Sequence, residues 1–338
     1  MTALPPTTGH LNLVQFANNL ADNGVVVVLS TQPHEPMIQE RVKAFREAIT
    51  NRGLKNIKIE NYNKTIPQDP KTPGFWQMWL DILNSYGITK DDYIVASEKY
   101  GQKLAEITGT KFFPYDIYRD INKTKATKIR NDPIANFSNI LDEFKPYLRT
   151  TITIFGAEST GKTTLSKQLA DELNASWIFE YARPYLENTI NEITIRSMTS
   201  IWKGQAALQK QIQKISMEPY IIQDTDLFST VGYWKFPHWQ KTIGSCPEEL
   251  IKEAIKLQSD LYIFTKSNIP FEKDPLRYGG DRREGSDDYW LNICKQYNLP
   301  HIVLDSANQT KRLRIAKNAI IELGKKKTAK IYFDRKGF

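Results

Sequence analysis

Residues 156 to 163 match the phosphate-binding pattern Gly-x-x-x-x-Gly-Lys-Ser/Thr at every fixed position. Gly156 and Gly161 let the backbone turn so that its N–H groups face phosphate oxygens, and a following helix adds the favourable dipole of its N-terminus. We expect Lys162 to contact the β- and γ-phosphates and the Thr163 hydroxyl to hold Mg²⁺. The motif therefore predicts a binding site for a nucleoside triphosphate.

The residues on either side of this loop favour the strand–loop–helix arrangement in which such loops bind phosphate. Thr151–Phe155 is apolar and rich in β-branched residues, as in a buried strand. Thr164–Leu173 follows with leucines at 165, 169 and 173 on one helical face. This context makes a chance glycine turn a poor explanation of the motif.

Carboxylates follow two other strand-like runs in the same half of the chain. A carboxylate at the carboxyl end of a parallel strand faces the crevice where α/β proteins bind ligands. Asp224 is predicted to hold Mg²⁺ or to orient an acceptor hydroxyl, and Asp226 could share that task. Glu180 is predicted to be either a site carboxylate or the salt-bridge partner of Arg183.

A second candidate site lies near the N-terminus, where residues 5 to 10 read Pro-Pro-Thr-Thr-Gly-His before a predicted helix. His10 could meet a phosphate there, although a histidine at a helix start is also often an exposed polar residue. The basic cluster Lys125–Arg130 could open another helix. Trp76 and Trp79 on one predicted helix could stack on a planar heterocycle or simply pack in the core.

The length of 338 residues suggests two domains, and the composition, with 40% hydrophobic and 25% charged residues, is that of a globular protein. No apolar run approaches the roughly 20 residues that span a bilayer, and the first residues lack a signal-peptide pattern. Cys246 and Cys294 are too few for a disulfide framework and make no zinc spacing with four histidines. We therefore expect a cytoplasmic protein without a membrane partner.

The net charge of +8 admits two interpretations. One is nucleic-acid binding, and the other is the handling of polyanionic nucleotides together with a basic tail at Lys325–Lys327. Because no helix-turn-helix, zinc finger or RNA-binding signature is present, nucleotides are favoured over nucleic acid as partners. The sequence leaves a homo-oligomer open.

Short β-branched runs alternate with helical stretches, which predicts an α/β fold with parallel sheets in two domains, residues 1–148 and 149–338. Helices are predicted at Leu11–Asn23, with Leu13, Phe16, Ala17 and Leu20 inward, and at Gln39–Asn51 and Phe75–Ser85. Strands are predicted at Val25–Leu29, Ile57–Asn61, Tyr93–Ala96, Thr151–Phe155, Ala175–Phe179, Tyr220–Asp224, Leu261–Phe264 and His301–Leu304.

Several of these motifs together resemble a known family. The string at 5–10 is similar to the (His/Thr)-x-Gly-His motif of the nucleotidyltransferase superfamily, and Lys125–Arg130 resembles its second motif, Ser-x-Thr-x-x-Arg. The phosphate loop, then Glu180-Tyr-Ala-Arg183, then Asp224-Thr-Asp226, resembles the ribosylnicotinamide kinase domain of NadR-type proteins. The resemblance covers nearly the whole chain, without the N-terminal helix-turn-helix of some members.

The resemblance implies two consecutive steps of NAD biosynthesis and pyridine nucleotide salvage by one multifunctional transferase. A C-terminal P-loop kinase would phosphorylate nicotinamide riboside to nicotinamide mononucleotide (NMN), with ATP as substrate and Mg²⁺ as cofactor. An N-terminal Rossmann-like nucleotidyltransferase would transfer AMP from ATP to NMN, giving NAD and pyrophosphate. Both reactions depend mainly on positioning and charge neutralisation.

The resemblance also assigns roles in the first domain. Thr7 and His10 match positions that contact the ATP phosphates, with His10 stabilising the leaving pyrophosphate, and Gly9 lets the backbone approach closely. Thr127 and Arg130 match the second motif, in which the arginine binds β- and γ-phosphates. Trp76 or Trp79 would stack on the nicotinamide ring.

The first domain departs from the family pattern in three places. Only Met1–Leu4 precedes the first motif, so the first strand is expected to be short or missing. Thr7 stands where many members have histidine. Lys125 stands where the second motif has serine, and it would meet a phosphate as a point charge.

In the second domain the resemblance implies a catalytic group of Lys162, Asp224 and Glu180, with metal at Thr163 and Asp224. Tyr181 and Arg183 would contact the nicotinamide substrate. The ATP-binding set comprises Gly156, Glu158, Ser159, Thr160, Gly161, Lys162, Thr163, Thr164, Arg277 and Arg282.

The stretch Lys273–Arg283 is rich in arginine and glycine and resembles a lid that closes over ATP, with Arg277 and Arg282 reaching the transferring phosphate. Pro275 stands where the family pattern has glycine. The alternative is a solvated basic loop.

Two other functions remain open at this stage. The first is a riboside kinase whose first domain senses nucleotides without catalysing a reaction, which the short first strand suggests. The second is a non-enzymatic ATP switch or nucleic-acid-binding regulator, which the basic charge suggests and which would bind DNA in a salt-sensitive way.

Overall fold

Parallel strands joined by helices form both halves of the chain, as the sequence predicts. The computed structural model describes residues 1–67, 69–189, 192–272 and 285–331. Contacts divide these residues into two units, one of Met1–Tyr147 with the described residues from Thr328 onward, the other of Leu148–Lys327.

The first unit contains two parallel pairs of strands. Val25 pairs with Ile57 at the start of one pair, and Tyr93 pairs with Lys111 at the start of the other. Its elements are α1 (Thr8–Leu20), β1 (Val25–Thr31), α2 (Ile38–Asn51), β2 (Ile57–Asn63), α3 (Phe75–Ser85), β3 (Tyr93–Ala96), α4 (Tyr100–Thr108), β4 (Lys111–Pro114), α5 (Ala126–Asn131) and α6 (Lys145–Leu148), whose last residue is the first of the second unit along the chain. Helix α1 contacts both β1 and β3.

The segment before α1 carries no strand in the described residues, which matches the expected short or missing first strand. Its backbone nevertheless bonds to β1: the Met1 amino group donates to the Val28 carbonyl at 2.6 Å, and the Ser30 N–H donates to the Met1 carbonyl at 2.9 Å. Buried Arg41 donates to the Ala3 carbonyl at 2.9 Å. These contacts fix the chain just ahead of the first motif.

The second unit is built on a five-stranded parallel sheet in the order β6-β7-β5-β8-β9. Its elements are β5 (Thr150–Phe155), α7 (Lys162–Leu173), β6 (Ser176–Ile178), α8 (Ala182–Glu187), α9 (Ile195–Ile215), β7 (Tyr220–Gln223), α10 (Leu227–Lys235), α11 (Pro237–Ile243), α12 (Glu248–Lys256), β8 (Leu261–Thr265), α13 (Ser286–Gln296), β9 (His301–Leu304) and α14 (Gln309–Thr328). Strands β7 and β8 are buried along their whole length, as expected for a parallel sheet covered on both faces.

This sheet brings three loops together. The phosphate loop follows β5, Asp224 follows β7, and the segment from Lys266 follows β8. Because β7, β5 and β8 are adjacent and parallel, these loops leave the sheet at the same edge. Below them, Phe155 packs edge-on against Tyr262 and Trp290, with ring centroids 5.8 and 5.5 Å apart. This core fixes the strand ends that carry the site.

All the predicted strands are confirmed with small shifts at their ends, and α3 has its predicted bounds. The prediction for α1 is wrong at both ends, because a cap at Thr7 starts the helix at Thr8 and it stops at Leu20. Leu11 and Val14 are buried in this helix, whereas Phe16 and Leu20, predicted to face inward, are only half-buried. Strand β4 was not predicted, because it is only four residues long and ends at a proline.

Within the part of the chain that the structure describes, no helix is long and apolar enough to cross a membrane.

Candidate active sites

The phosphate loop of the second unit requires glycine at both ends. Gly156 has φ +135°, and a Cβ there would lie 2.7 Å from the Thr265 carbonyl oxygen. Gly161 precedes α7 with φ +78°, in the left-handed region. Both conformations are unfavourable for residues with a Cβ. The turn that the sequence motif predicts is therefore present at the N-terminus of a helix, where backbone N–H groups can meet an anion.

The functional side chains of this loop are already oriented. The Lys162 ammonium donates to the Ala157 carbonyl at 2.6 Å, folding back over the loop. The Thr163 hydroxyl donates to Asp224 Oδ2 at 2.7 Å. Asp224 is 2% exposed, and its Oδ1 has no hydrogen-bond partner among the described residues. A hydroxyl beside a buried, partly unsatisfied carboxylate fits Mg²⁺, which takes oxygen ligands and completes its shell with water and phosphates.

The two carboxylates predicted for this site influence each other. Burial raises the pKa of Glu180, and the negative charge of Asp224 raises it further, against the opposing effect of Lys162 and Arg183. Burial also raises the pKa of Asp224, although the bond from Thr163 opposes this. Two carboxyl groups that disfavour each other's charge are suited to binding a cation or to accepting a proton.

A cavity of about 240 Å³ is lined both by the phosphate loop and by apolar and aromatic side chains. Residues 158–164 line it, together with Glu180 and Arg183. Its lining also includes residues that the sequence did not single out, among them Met198, Gln205, Thr225, Tyr233 and Trp239. For Tyr233 and Trp239 the sequence signal was the aromatic content after Asp226, which is equally typical of a core.

The predictions for Tyr181, Arg183 and the proposed lid have three different outcomes. Tyr181, expected to touch the substrate, packs against Gly204, where a Cβ would lie 2.0 Å from its ring, and it is not among the described lining residues. Arg183 lines the cavity and lies 3.5 Å from Glu187. The proposed lid Lys273–Arg283, with Arg277 and Arg282, falls outside the described residues.

Asp226, which could have shared metal binding with Asp224, has other partners for both of its carboxylate oxygens. Its Oδ1 caps α10 by accepting from the Phe228 N–H at 3.0 Å, and its Oδ2 accepts from the Tyr262 hydroxyl at 2.5 Å. The sequence does not reveal this, because an aspartate that caps a helix and an aspartate that binds a ligand can occur in the same sequence pattern. Asp226 instead fixes the start of α10, the helix that carries Ser229, Thr230 and Tyr233 into the cavity.

Asp226→Asn should change how stability depends on pH. Burial raises the pKa of Asp226 to about 6, so the folded protein binds its proton more tightly than the unfolded chain does. This stabilisation is complete at about pH 4 and is lost as the pH rises through about 6. Across that range wild type should lose about 3 kcal/mol of unfolding free energy that the variant does not lose.

Urea unfolding at several pH values measures this difference. Asp171→Asn is the matched control, because Asp171 is exposed on α7. Parallel pH curves for wild type and Asp226→Asn would contradict the assignment.

In the first unit, His10 and Thr7 form a reciprocal cap at the start of α1. The His10 N–H donates to Thr7 Oγ1 at 3.3 Å, and the Thr7 N–H donates to His10 Nδ1 at 3.2 Å. Because Nδ1 is an acceptor, the neutral imidazole carries its proton on Nε2. The ring therefore has one nitrogen fixed by the helix start and one N–H left to donate elsewhere.

Positive charge surrounds this imidazole. Burial, together with the positive charges of the amino terminus, Arg119, Arg41 and Arg130, lowers the pKa of His10 to about 3. His10 is thus neutral near pH 7 in the free protein. A cluster of cations around a neutral donor favours an anion such as a polyphosphate. Arg119 was not singled out in the sequence, because one arginine in a loop carries no pattern.

The second basic motif lies at the start of a helix, as expected. Lys125 precedes α5, and Arg130 donates to the Thr127 hydroxyl at 3.1 Å and to the Leu4 carbonyl at 2.6 Å. Arg130 therefore links the second motif to the residue that precedes Pro5 in the first motif. Thr127 and Lys125 are exposed, so they can approach a ligand.

Gly9 is not required by packing in the free protein. A Cβ there would meet the Asn122 side chain at 3.4 Å, an ordinary contact, and the backbone is not left-handed. The predicted role, close approach of a ligand to the backbone, is compatible with this freedom.

The two candidate ring-stacking tryptophans lie together on α3. Trp76 and Trp79 are half-buried and pack against a cluster containing Ile94 and Leu104. Each also contacts Phe75, with ring centroids 5.0 and 6.4 Å apart. Core packing thus accounts for part of each ring, and stacking on nicotinamide remains a prediction for the rest.

Comparison with known proteins supports the resemblance along the chain. Residues 151–312 match the AAA domain family. The trifunctional NAD biosynthesis/regulator protein NadR of Escherichia coli (strain K12) is 26% identical over 331 residues, covering 91% of this chain and 78% of that protein.

Solved structures show the same fold. A crystal structure of a NadR protein in complex with NR has a TM-score of 0.62 and 23% identity, covering 95% of this chain and 94% of the other. A NadR protein in complex with NAD and AMP-PNP also has a TM-score of 0.62, with 22% identity, and covers 100% and 97%. The family resemblance predicted from the motifs is thereby confirmed.

Proposed function

We propose that this NadR-like protein carries out two consecutive steps of NAD synthesis. The second unit phosphorylates nicotinamide riboside with ATP, and the first unit transfers AMP from a second ATP to the resulting NMN. The observation that carries the proposal is one cavity whose lining combines the phosphate loop, Glu180, and the side chains of Tyr233 and Trp239. Such a cavity places a phosphate donor and a small acceptor side by side.

In the kinase step, the backbone of residues 156–161 and Lys162 bind the phosphates of ATP. Thr163 and Asp224 are the residues that would hold Mg²⁺, which would supply positive charge against the ATP phosphates. Glu180, on the cavity wall, accepts the proton of the riboside 5′-hydroxyl, and its raised pKa suits this role. The hydroxyl oxygen bonds to the γ-phosphorus, the bond to the bridging oxygen breaks, and ADP leaves.

In the adenylyl step, a phosphate oxygen of NMN bonds to the α-phosphorus of ATP. The α–β bridging bond breaks and pyrophosphate leaves, so negative charge grows on the β-phosphate. The His10 Nε2–H and the Arg130 guanidinium donate to that charge. Because Nδ1 of His10 is held by the Thr7 N–H, the donor is oriented before the reaction begins.

The proposal is tested by two separate half-reactions on the full chain. Nicotinamide riboside with MgATP should give NMN and ADP, and NMN with MgATP should give NAD and pyrophosphate. The first reaction without the second would replace the proposal with a riboside kinase whose first unit only senses nucleotides. Failure of the first reaction would refute the assignment of the cavity.

A further inference from the structure

Arg312 is a buried arginine on α14 that joins two loops of the second unit. It is 3% exposed. Its Nη1 donates to the Thr160 carbonyl at 2.8 Å, and its Nη2 donates to the Lys266 carbonyl at 3.2 Å. Thr160 belongs to the phosphate loop, and Lys266 begins the segment after β8. One guanidinium thus bridges the main chains of both loops.

The segment that Arg312 holds is itself part of the cavity. Ile269, Pro270 and Glu272 line it, close to the phosphate loop. A second link joins the same two loops, because the Glu272 N–H donates to the Ser159 hydroxyl at 2.9 Å. Two hydrogen-bonded links therefore join the phosphate loop to the segment after β8. The buried link runs through Arg312, and the more exposed one joins Glu272 to Ser159.

The bond to Thr160 also determines where a phosphate-binding amide points. In a planar trans peptide, the carbonyl of Thr160 and the N–H of Gly161 point in opposite directions. Holding the carbonyl toward α14 directs the Gly161 N–H away from α14. Arg312 lies directly against this peptide, since its Nη1 is 3.5 Å from the position that a Gly161 Cβ would take.

We propose that Arg312 is a positioning residue for the kinase reaction. It presets the Thr160–Gly161 peptide for phosphate and seats the segment after β8 against the loop that binds ATP. A forked guanidinium can bond two carbonyls at once, whereas a lysine ammonium on a flexible stem cannot reproduce that fixed geometry. The inference rests on the kinase function proposed above only for its kinetic readout, because nucleotide binding can be measured without turnover.

The test compares Arg312→Lys with wild type in the full chain, and Arg314→Lys is the matched control because Arg314 is exposed on the same helix. Because the first unit is also proposed to bind ATP, binding of AMP-PNP with Mg²⁺ to the second unit is measured by titrating the slowing of hydrogen exchange in residues 158–163. The kcat and KM for ATP and riboside in the kinase reaction and the thermal midpoint are measured on the same preparations. Loss of one charge-assisted bond predicts an AMP-PNP Kd and a KM for ATP about 10- to 100-fold higher. The KM for riboside and the control variant should stay close to wild type, and the thermal midpoint should lie above the assay temperature, which shows that Arg312→Lys is folded when it is assayed.

An Arg312→Lys protein that is folded and binds AMP-PNP as wild type does would overturn the inference. If wild type bound AMP-PNP but phosphorylated no riboside, the proposed function would fail while the binding comparison still decided the role of Arg312. If the variant did not fold, hydrogen exchange in wild type would decide instead. AMP-PNP should slow exchange in residues 158–163 and 266–272 together, and slowing confined to 158–163 would overturn the inference.

Discussion

Lys162→Ala should reduce riboside phosphorylation by about 100- to 1000-fold, because it removes the charged donor that contacts the transferring phosphate. The Lys162 ammonium donates to the Ala157 carbonyl at 2.6 Å, which holds it over the loop that is proposed to bind the phosphates of ATP. Adenylyl transfer from ATP to NMN should stay close to wild type, since the residues proposed for that step belong to the first unit. Both activities are measured on the same preparation.

Lys214→Ala is the control for this substitution, because Lys214 is an exposed lysine on α9. It should keep both activities. A folded Lys162→Ala protein that lost adenylyl transfer as well would contradict the assignment of the two reactions to two sites.

His10→Gln should have the converse effect, with adenylyl transfer reduced by about 100-fold or more and riboside phosphorylation kept. Glutamine at this position can still accept the Thr7 N–H, as in the usual capping box, so the start of α1 is preserved. What it loses is the imidazole Nε2–H. His10→Ala should lose the same activity and, in addition, about 1 kcal/mol of unfolding free energy with the cap.

The pair of variants separates catalysis from capping. If His10→Gln kept full adenylyl transfer while His10→Ala lost it, His10 would be a capping residue only. The alternative drawn from the sequence, an exposed polar histidine, would then be replaced by a structural role for His10 as part of a helix cap.

The turn at the phosphate loop was predictable from sequence because its residues are close together along the chain and their types are restrictive. The phosphate loop requires glycine at two backbone positions and a lysine and a hydroxyl at two others, and all four are local. Asp224 was predictable because an apolar strand precedes it. Gln205, Tyr233 and Trp239 in the cavity lining were not predictable from sequence. They come from separate helices, and only tertiary packing brings them together.

Asp226 and Arg312 show where a local sequence pattern stops being informative. Asp226 has the same residue type and almost the same position as Asp224, yet one residue caps a helix and the other lies beside Thr163. Arg312 has no motif at all, and its position against the phosphate loop depends on α14 packing there. Side-chain type predicts what a residue could do, while burial and partners decide what it does.

The most direct test of the two-step function is a time course with the full chain, MgATP and nicotinamide riboside, with NMN and NAD separated by chromatography. We expect NMN to appear first and NAD to follow after a lag, with one ADP and one pyrophosphate formed for each NAD. NMN that accumulates without NAD, while ATP remains in excess, would contradict the claim that both units catalyse.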